Sequence, residues 1–162
     1  MAKSPDKSTV PYLIIGSGIA GLTLALKLAR RGRVMLMAKD KLHEGNSFYA
    51  QGGIASVLDH SDSFADHIQD TLTAGAGLCH EQVVRRVEEM GPRIIRALVD
   101  LGVQFTKRQG SDDFHLSREG GHSKRRVLHA DDITGRELIQ TLIRAVKDHP
   151  QISLHENHTA ID

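Results

Sequence analysis

The sequence reads Tyr12-Leu13-Ile14-Ile15-Gly16-Ser17-Gly18-Ile19-Ala20-Gly21, an apolar run that ends in a glycine-rich turn. A short apolar run that meets glycine predicts a strand over residues 12–15, buried on both faces. Apolar residues then recur at helical spacing over residues 19–31, with Gly32 as the stop. Residues 34–38 predict a second strand. The opening is therefore a βαβ unit, in which a right-handed crossover makes the two strands parallel neighbours.

The turn Gly16-Ser17-Gly18-Ile19-Ala20-Gly21 matches the G-x-G-x-x-G fingerprint of dinucleotide binding, between a strand and a helix as that chemistry requires. Gly16 permits the tight turn, Gly18 lets backbone approach a pyrophosphate, and Gly21 lets helix and strand pack closely. The pyrophosphate is expected at the helix N-terminus, where N–H groups and the helix dipole attract anions. The alternative is a glycine turn that joins strand to helix without any ligand.

The second strand ends in Met37-Ala38-Lys39-Asp40, where an acidic residue usually holds the adenosine ribose. Ala38 has no group for that role. Lys39 is compatible with the 2′-phosphate of NADP, and equally with a stem packed on adenine and a charge near the phosphates. This position therefore leaves the identity of the dinucleotide open.

A second segment decides between dinucleotides: Glu44-Gly45-Asn46-Ser47-Phe48-Tyr49-Ala50-Gln51-Gly52-Gly53-Ile54. It resembles the FAD-contacting segment of the flavoprotein superfamily of fumarate reductase, succinate dehydrogenase and L-aspartate oxidase. The resemblance implies an α/β fold, a Rossmann-like FAD-binding domain with helices on a glutathione-reductase-type parallel sheet, here truncated. It also implies that residues 46–53 run along the isoalloxazine and pyrophosphate. Asn46 falls where membrane succinate dehydrogenases carry the flavin-linking histidine, so we expect noncovalent FAD.

A third segment resembles the substrate-side loop of the L-aspartate oxidase family: His115-Leu116-Ser117-Arg118-Glu119-Gly120-Gly121-His122-Ser123. The dicarboxylate dehydrogenases of the superfamily have phenylalanine before the paired glycines, whereas this chain has Glu119. A carboxylate there can pair with the α-ammonium of an amino acid, which succinate lacks, and manage its proton. The resemblance therefore implies a catalytic Glu119, with Gln51 and His122 also on the substrate side. The alternative for Glu119 is a solvated loop acid paired with Arg118 or His122.

The resemblance implies that the full enzyme oxidises L-aspartate to iminoaspartate by hydride transfer from Cα to flavin N5, the first step of NAD synthesis through quinolinate. Oxygen or fumarate would reoxidise the flavin, and quinolinate synthase is the expected downstream partner. The enzymatic alternative is a soluble fumarate reductase or succinate dehydrogenase flavoprotein subunit. The non-enzymatic alternative is a dinucleotide-binding or nucleic-acid-binding module. Its basic face would be Arg118, Lys124, Arg125 and Arg126, although charges without interleaved aromatic residues are more typical of a solvated loop.

The remaining elements follow from periodicity and turn residues. We expect a flexible leader over residues 1–11. Residues 12–162 are expected to form the amino-terminal part of the FAD-binding domain. The rest of that domain, the capping domain and the C-terminal helical domain are expected to be absent. The isolated chain should expose apolar faces of the βαβ unit and therefore be unstable or inactive. Thr159 and Ala160 fall where the superfamily passes backbone beside adenine. We predict helices over residues 63–74, 81–101 and 134–146, the last with a Thr134–Glu137 capping box, a hairpin over 103–114, a loop over 115–126 and a strand over 152–155.

Composition narrows the range of partners. Lysine and arginine total 21 against 20 acidic residues, and this balance gives no general attraction to nucleic acid or anionic lipid, so we expect neither. Cys79 is the single cysteine, which excludes an internal disulfide and suits a reducing cytoplasm. The apolar runs are too short to predict a membrane segment. His115, His122 and His129 recur every seven residues, which is not a ligand spacing on one helical turn, so no metal site is expected.

Overall fold

The computed structural model of the protein describes residues 10–130 and 133–161. In chain order its elements are β1 (Tyr12–Ile15), α1 (Ile19–Leu28), β2 (Val34–Met37), β3 (Ile54–Ala55), α2 (Phe64–Ala74), α3 (Glu81–Asp100), β4 (Leu116–Ser117), β5 (Val127–Leu128), α4 (Thr134–Lys147) and β6 (Ile152–His155). They form two compact units, residues 10–48 with 139–161, and residues 49–138. The expected leader lies outside the described residues except for Val10 and Pro11.

The first unit is built on a parallel sheet of β1, β2 and β6, with β2 in the centre. Helix α1 connects β1 to β2, which confirms the predicted βαβ unit and the α/β class. Ile15, Met37 and His155 lie side by side in the register. The carboxyl ends of all three strands therefore meet at one edge of the sheet, the edge at which α/β proteins bind their ligands.

The core of the first unit lies on one face of this sheet. Ile14, Val34 and Leu36 pack there against α1 and the later turns of α4. The prediction that β1 is buried on both faces is wrong for the described residues, because Leu13 and Ile15 are 55% and 65% exposed. Alternate side chains of a strand point to opposite faces, and these two point away from the helices. The expectation of exposed apolar faces is confirmed.

The predicted first helix is shorter than expected. It ends at Leu28, whose carbonyl oxygen accepts the N–H groups of Arg31 (2.8 Å) and Gly32 (3.2 Å), so residues 29–31 form a turn. The strand predicted over residues 152–155 is confirmed as β6. At the end of α1, the two hydrogen bonds to Leu28 satisfy a carbonyl group that a helix end would otherwise leave without a partner.

The second unit holds α2, α3 and a small antiparallel sheet in the order β3-β5-β4. Ser63 caps α2 by accepting the N–H of Asp66 at 3.1 Å, and Gly102, at φ +101°, follows the last turn of α3 in the left-handed conformation. The hairpin is confirmed by the bridge between Lys107 and Phe114. The core of the second unit contains Ile95, Val103, Phe105, Leu116, Leu128 and Leu138.

Two local predictions in this unit need correction. The segment 115–126 is not loop throughout, because Leu116–Ser117 forms β4 against β5. Two-residue strands are too short to show the alternating pattern by which a strand is recognised. The predicted capping box is also wrong in its roles. Thr134 is the first helical residue and its Oγ1 accepts the N–H of Ala130 at 3.1 Å, while Glu137 accepts the N–H of Gln104 at 3.0 Å.

Candidate functional site

The glycine turn of the first unit has the geometry of an anion site. Gly16 adopts φ +108° and donates its N–H to the Met37 carbonyl at 2.8 Å, which holds the turn against β2. Gly18 is the N-cap of α1, and no described side chain caps this helix or places an acidic group in its first turn. The helix therefore begins with backbone amides and the positive end of its dipole, and its own first turn supplies no acidic side chain to them.

The three glycines of the fingerprint are required for different reasons. Gly16 needs its left-handed φ, and a Cβ on Gly21 would collide with the Gly16 carbonyl oxygen. A Cβ on Gly18 would meet only Ser47 Oγ, at an ordinary 3.5 Å, with a backbone φ of −70° that any residue adopts. The described fold therefore needs glycine at positions 16 and 21 but not at position 18. A requirement at 18 has to come from something that binds there.

The same contact brings two predicted cofactor segments together. Ser47, from the second segment, lies beside Gly18 of the turn, while Asn46 is exposed next to it. Phe48 packs against the core of the first unit and contacts the His43 ring at 5.3 Å, so its role in the described structure is partly structural. Ser17 is buried, and Ile19 and Ala20 form the exposed first turn of α1.

Lys39, Thr159 and Ala160 follow the strands at the edge where the glycine turn lies. Lys39 comes two residues after β2 and is exposed; Thr159 and Ala160 follow β6 and are exposed as well. The His158 N–H donates to the Ala38 carbonyl at 3.0 Å, which draws the chain after β6 alongside the end of β2. The predicted adenine-side residues therefore all belong to one edge of the parallel sheet.

In the second unit, the segment Tyr49-Ala50-Gln51-Gly52-Gly53 leads into β3. Gly53 is packed so closely on β5 that a Cβ would collide with the Leu128 carbonyl. Gly52 is the opposite case, since no heavy atom of the described residues lies within 4 Å of its ideal Cβ. Ala50 accepts the N–H of Gly135 at 3.0 Å, and Gln51 and Tyr49 are exposed. Gly52 repeats the pattern of Gly18: an open backbone position where the fold itself does not demand glycine.

Glu119 lies at the tip of the connection between β4 and β5. Its carbonyl accepts the His122 N–H at 3.2 Å, and Gly121 takes φ +82°, which closes a tight turn that needs glycine at this place. The Glu119 side chain is exposed and makes no hydrogen bond or ion pair within residues 10–130 and 133–161. The suggested pairing with Arg118 or His122 is therefore not seen. A carboxylate on an ordered turn is left available for a ligand.

Arg126 anchors the turn that carries Glu119, and its side chain is 0% exposed. Its Nε and Nη2 donate to the two oxygens of Asp62, each at 2.8 Å, and its Nη1 donates to Asp70 Oδ2 at 2.6 Å. Asp70 Oδ2 also accepts the N–H and the Oγ–H of Ser123, at 2.7 and 2.8 Å. A buried guanidinium is stable only with such paired carboxylates.

The ionisation of this cluster follows from burial and hydrogen bonding. Burial opposes the charge of Asp70, but the bonds from Ser123 and Arg126 outweigh it and lower its pKa to about 2. A second pair of titratable groups, Glu88 and His67, is also buried. Glu88 Oε2 lies 3.6 Å from His67 Nδ1, which is an ion-pair distance. Burial raises the pKa of Glu88 and lowers that of His67, so the neutral forms are favoured over an ion pair. Glu88 is held through Oε1, which accepts Thr71 Oγ–H at 2.6 Å.

The structure brings some predicted substrate-side residues together and separates others. Glu119 and His122 share one turn, and the His122 ring lies against the His67 ring with centroids 5.7 Å apart. Gln51 precedes β3, whereas the Glu119 turn follows β4, and the register places these two ends at opposite edges of the small sheet. The described contacts therefore link Glu119 to His122 but not to Gln51.

Sequence reasoning missed the role of Arg126. It counted Arg126 in a basic surface face, but the side chain is fully buried, so the described protein presents no such face through it. Its partners Asp70 and Asp62 are 56 and 64 residues away in sequence, and no local sequence pattern predicts a contact between residues so far apart. The three histidines at sevenfold spacing also separate, since His115 and His129 contact each other at 2.8 Å while His122 faces Arg126 and His67.

Comparison with known families identifies the fold. Residues 12–162 match the family described as FAD binding domain. The chain belongs to this family. Membership of this family agrees with the α/β architecture and the glycine turn described above. The match confirms the predicted resemblance and FAD as the cofactor. None of the described helices combines the length and the apolar character needed to span a membrane.

Among curated proteins, this FAD-binding domain is similar to L-aspartate oxidases. It is 50% identical over 154 residues to that of Vibrio cholerae, covering 93% of this chain and 29% of the relative. It is 48% identical over 164 residues to the chloroplastic enzyme of Arabidopsis thaliana, covering 99% and 25%. The chain thus spans between a quarter and a third of these relatives. Among solved structures, E. coli quinol fumarate reductase gives a TM-score of 0.88 at 29% identity, covering 94% of this chain and 26% of that one.

The described residues fit FAD by their own geometry. Gly18 and Gly52 leave open backbone that the fold does not require, and the uncapped start of α1 suits a pyrophosphate. We therefore expect Gly18→Ala to fold normally but to bind FAD about 5- to 150-fold more weakly, since one inserted methyl typically costs about 1–3 kcal/mol. FAD titration of the full-length apoprotein, followed by flavin fluorescence, measures this.

The matched control is Gly21→Ala, where the collision is with the protein itself. It should lower the free energy of unfolding by about 1–3 kcal/mol, read from denaturant midpoints, whether or not FAD is present. Equal FAD affinity for Gly18→Ala and the unmodified protein would show that the open position at residue 18 is not a cofactor contact.

Proposed function

We propose that this FAD-binding domain belongs to an L-aspartate oxidase, which oxidises L-aspartate to iminoaspartate. The observation that carries the proposal is the uncommitted carboxylate of Glu119 on the ordered turn, in a chain about 50% identical to proteins of that name. Dicarboxylates without an amino group would give such a carboxylate nothing to bind. An α-ammonium gives it a charge-assisted hydrogen bond.

The chemical roles of the chain's residues follow from this substrate. Oxidation breaks the Cα–H bond with its electron pair, forms the C=N bond and releases a proton from nitrogen. Glu119 binds the ammonium, orients Cα and accepts that proton, while His122 shares the turn as a further polar group on the substrate side, and Gln51 is assigned to that side as well. FAD, when bound, supplies the hydride acceptor.

The cofactor is held noncovalently in this proposal. The residues that hold it are Gly16, Ser17, Gly18, Ile19, Ala20 and Gly21 of the turn, Lys39, the segment Asn46, Ser47, Phe48, Tyr49, Ala50, Gln51, Gly52 and Gly53, and Thr159 with Ala160. Support comes from the open backbone at Gly18 and Gly52 and from the exposed strand edge that carries Lys39 and Thr159. Asn46 offers an amide, which is no nucleophile for flavin attachment.

The wider setting of the reaction belongs to the same proposal. Oxygen or fumarate reoxidises the flavin, the product passes to quinolinate synthase in NAD synthesis, and neither nucleic acid nor membrane is a partner. We propose a cytoplasmic location, supported by the single free Cys79. The domain organisation proposed is a leader before residue 12, then the amino-terminal part of the FAD domain, with the remaining substrate residues on other parts of the enzyme.

The second candidate is a soluble fumarate reductase or succinate dehydrogenase flavoprotein subunit. The TM-score of 0.88 to E. coli quinol fumarate reductase favours it, because the two folds agree closely over 94% of this chain. The sequence identity is 29%, however, against 50% to an L-aspartate oxidase. An acid at position 119 is the local feature that speaks against it.

Release of the flavin tests the noncovalent attachment. Acid precipitation of the purified full-length protein should leave all of the FAD in the supernatant and a polypeptide of unmodified mass, because no nucleophilic side chain stands at position 46. Absorbance of the supernatant and mass spectrometry of the pellet measure the two fractions. Flavin that stays with the pellet would contradict noncovalent binding.

The substrate is tested by anaerobic reduction of the full-length flavoprotein. L-aspartate should bleach the flavin spectrum and succinate should not. Glu119→Gln should lower kcat/KM for L-aspartate by about 10- to 150-fold, since a hydrogen bond to a charged group contributes about 1.5–3 kcal/mol. Bleaching by succinate alone would support the second candidate.

The matched control is Glu89→Gln, an exposed carboxylate of α3 in the same unit, which should leave kcat/KM unchanged. If both variants lower kcat/KM alike, the effect belongs to general surface charge and the role of Glu119 is refuted.

A further inference from the structure

The shortest ion pair among the described residues joins Arg126 to Asp70, and both side chains contact the turn that carries Glu119 and His122. Arg126 has no exposed surface, and Asp62 and Asp70 together accept from its Nε, Nη1 and Nη2. Burial alone would lower the pKa of this guanidinium, yet the hydrogen bonds and charges of Asp62 and Asp70 raise it. Arg126 is therefore a fixed, permanently charged donor.

Asp70 connects this donor to the turn. A single oxygen, Oδ2, accepts from Arg126 Nη1, from the Ser123 backbone and from the Ser123 hydroxyl, at 2.6, 2.7 and 2.8 Å. Ser123 directly follows His122. At the other end of the connection, the Arg126 N–H donates to the Ser117 carbonyl at 3.1 Å. The segment between β4 and β5 is thus tied at both sides, and its freedom to move Glu119 is small.

The same guanidinium reaches His122. Arg126 Nη1 lies 3.4 Å from His122 Nδ1, and Nη1 carries two hydrogens, of which Asp70 takes one. A guanidinium can only donate, so this contact requires a lone pair on Nδ1. In a neutral imidazole the remaining proton must then lie on Nε2. The partner of one ring nitrogen fixes the role of the other.

We propose that Arg126 is a positioning residue of the substrate side. Through Asp70 and Ser123 it holds the Glu119–His122 turn, and through Nη1 it fixes His122 in the Nε2–H form. The same turn then carries two complementary groups: a carboxylate for an ammonium, and an N–H donor for a carboxylate oxygen. An α-amino acid carries both partners of this pair on the same carbon.

This proposal rests on the proposed function for its substrate, but its geometry stands on the second unit alone. Lysine cannot take the place of arginine here, because a single ammonium cannot donate bidentately to Asp62 and also reach Asp70 and His122 in one plane. Arg125 provides a matched position, since it is adjacent in sequence and exposed.

The first test reads the unmodified protein and leaves Arg126, Asp62 and Asp70 unchanged. In the full-length protein labelled with 15N-histidine, with His122 assigned by the loss of its signals in His122→Gln, we expect one pure tautomer at a pH where the ring is neutral. Nδ1 should resonate as an unprotonated nitrogen and Nε2 as a protonated one. Averaged shifts, or a proton on Nδ1, would overturn the assignment of Arg126 as the group that sets the tautomer.

The second test compares Arg126→Lys with Arg125→Lys. Arg126→Lys should retain FAD, shift His122 to averaged tautomers and lower kcat/KM for L-aspartate about 10²-fold, as a misplaced catalytic group does. Arg125→Lys should change none of these. Unchanged shifts and unchanged kcat/KM in Arg126→Lys would refute the proposal.

The failure of this proposal can be told apart from the failure of the proposed function. A flavoprotein that L-aspartate fails to reduce would refute the proposed function, while the tautomer spectrum would still decide whether Arg126 positions His122. If Arg126→Lys does not fold, the spectrum of the unmodified protein decides alone.

Discussion

A guanidinium with no exposed surface constrains the second unit. Arg126 can be buried only because Asp62 and Asp70 surround it, and removing one partner of such a pair typically costs about 3–5 kcal/mol. Asp62 precedes α2, Asp70 lies on α2 and Arg126 precedes β5, so one charge joins a helix to a sheet. The Glu119 turn is the connection that this charge holds in place. Stability and the placement of a candidate catalytic group therefore share one ionic cluster.

The first unit depends on a different constraint, the close approach of α1 to the strand that precedes it. Gly16 and Gly21 are needed for that approach, and Gly53 has the same role against β5 in the second unit. Gly18 and Gly52 are glycines without such a need. This separation distinguishes glycines that the fold requires from glycines that it does not, and only the second kind is free for the cofactor contact proposed above. A fingerprint by itself mixes the two kinds.

Most of the fold could be predicted because its signals are local. The βαβ unit, α2, α3, α4, the hairpin and β6 all follow from apolar periodicity and turn residues within short windows. The small sheet of β3, β4 and β5 could not be predicted, since strands of two residues have no period. The apolar run of β1 could not tell which of its residues lose their cover within this chain, and the structure shows that they are Leu13 and Ile15.

The candidate site divides in the same way. Gly16 to Gly21 and the Glu119 turn were found from motifs, whereas Arg126 was taken for a surface charge. Its partners Asp62 and Asp70 are more than fifty residues away in sequence, and only folding brings the three side chains together. The role of such a residue depends on its burial. An exposed arginine can bind anions from solution, whereas a buried one binds carboxylates of its own chain and fixes their positions.

The most direct test of the central claim is a crystal structure of the full-length flavoprotein, reduced and anaerobic, with L-aspartate bound. The quantity to measure is the distance from the substrate nitrogen to the nearer carboxylate oxygen of Glu119. We expect about 2.7–3.0 Å, the length of a charge-assisted hydrogen bond. A Glu119 carboxylate that points into solvent, with the ammonium held by other groups, would contradict it.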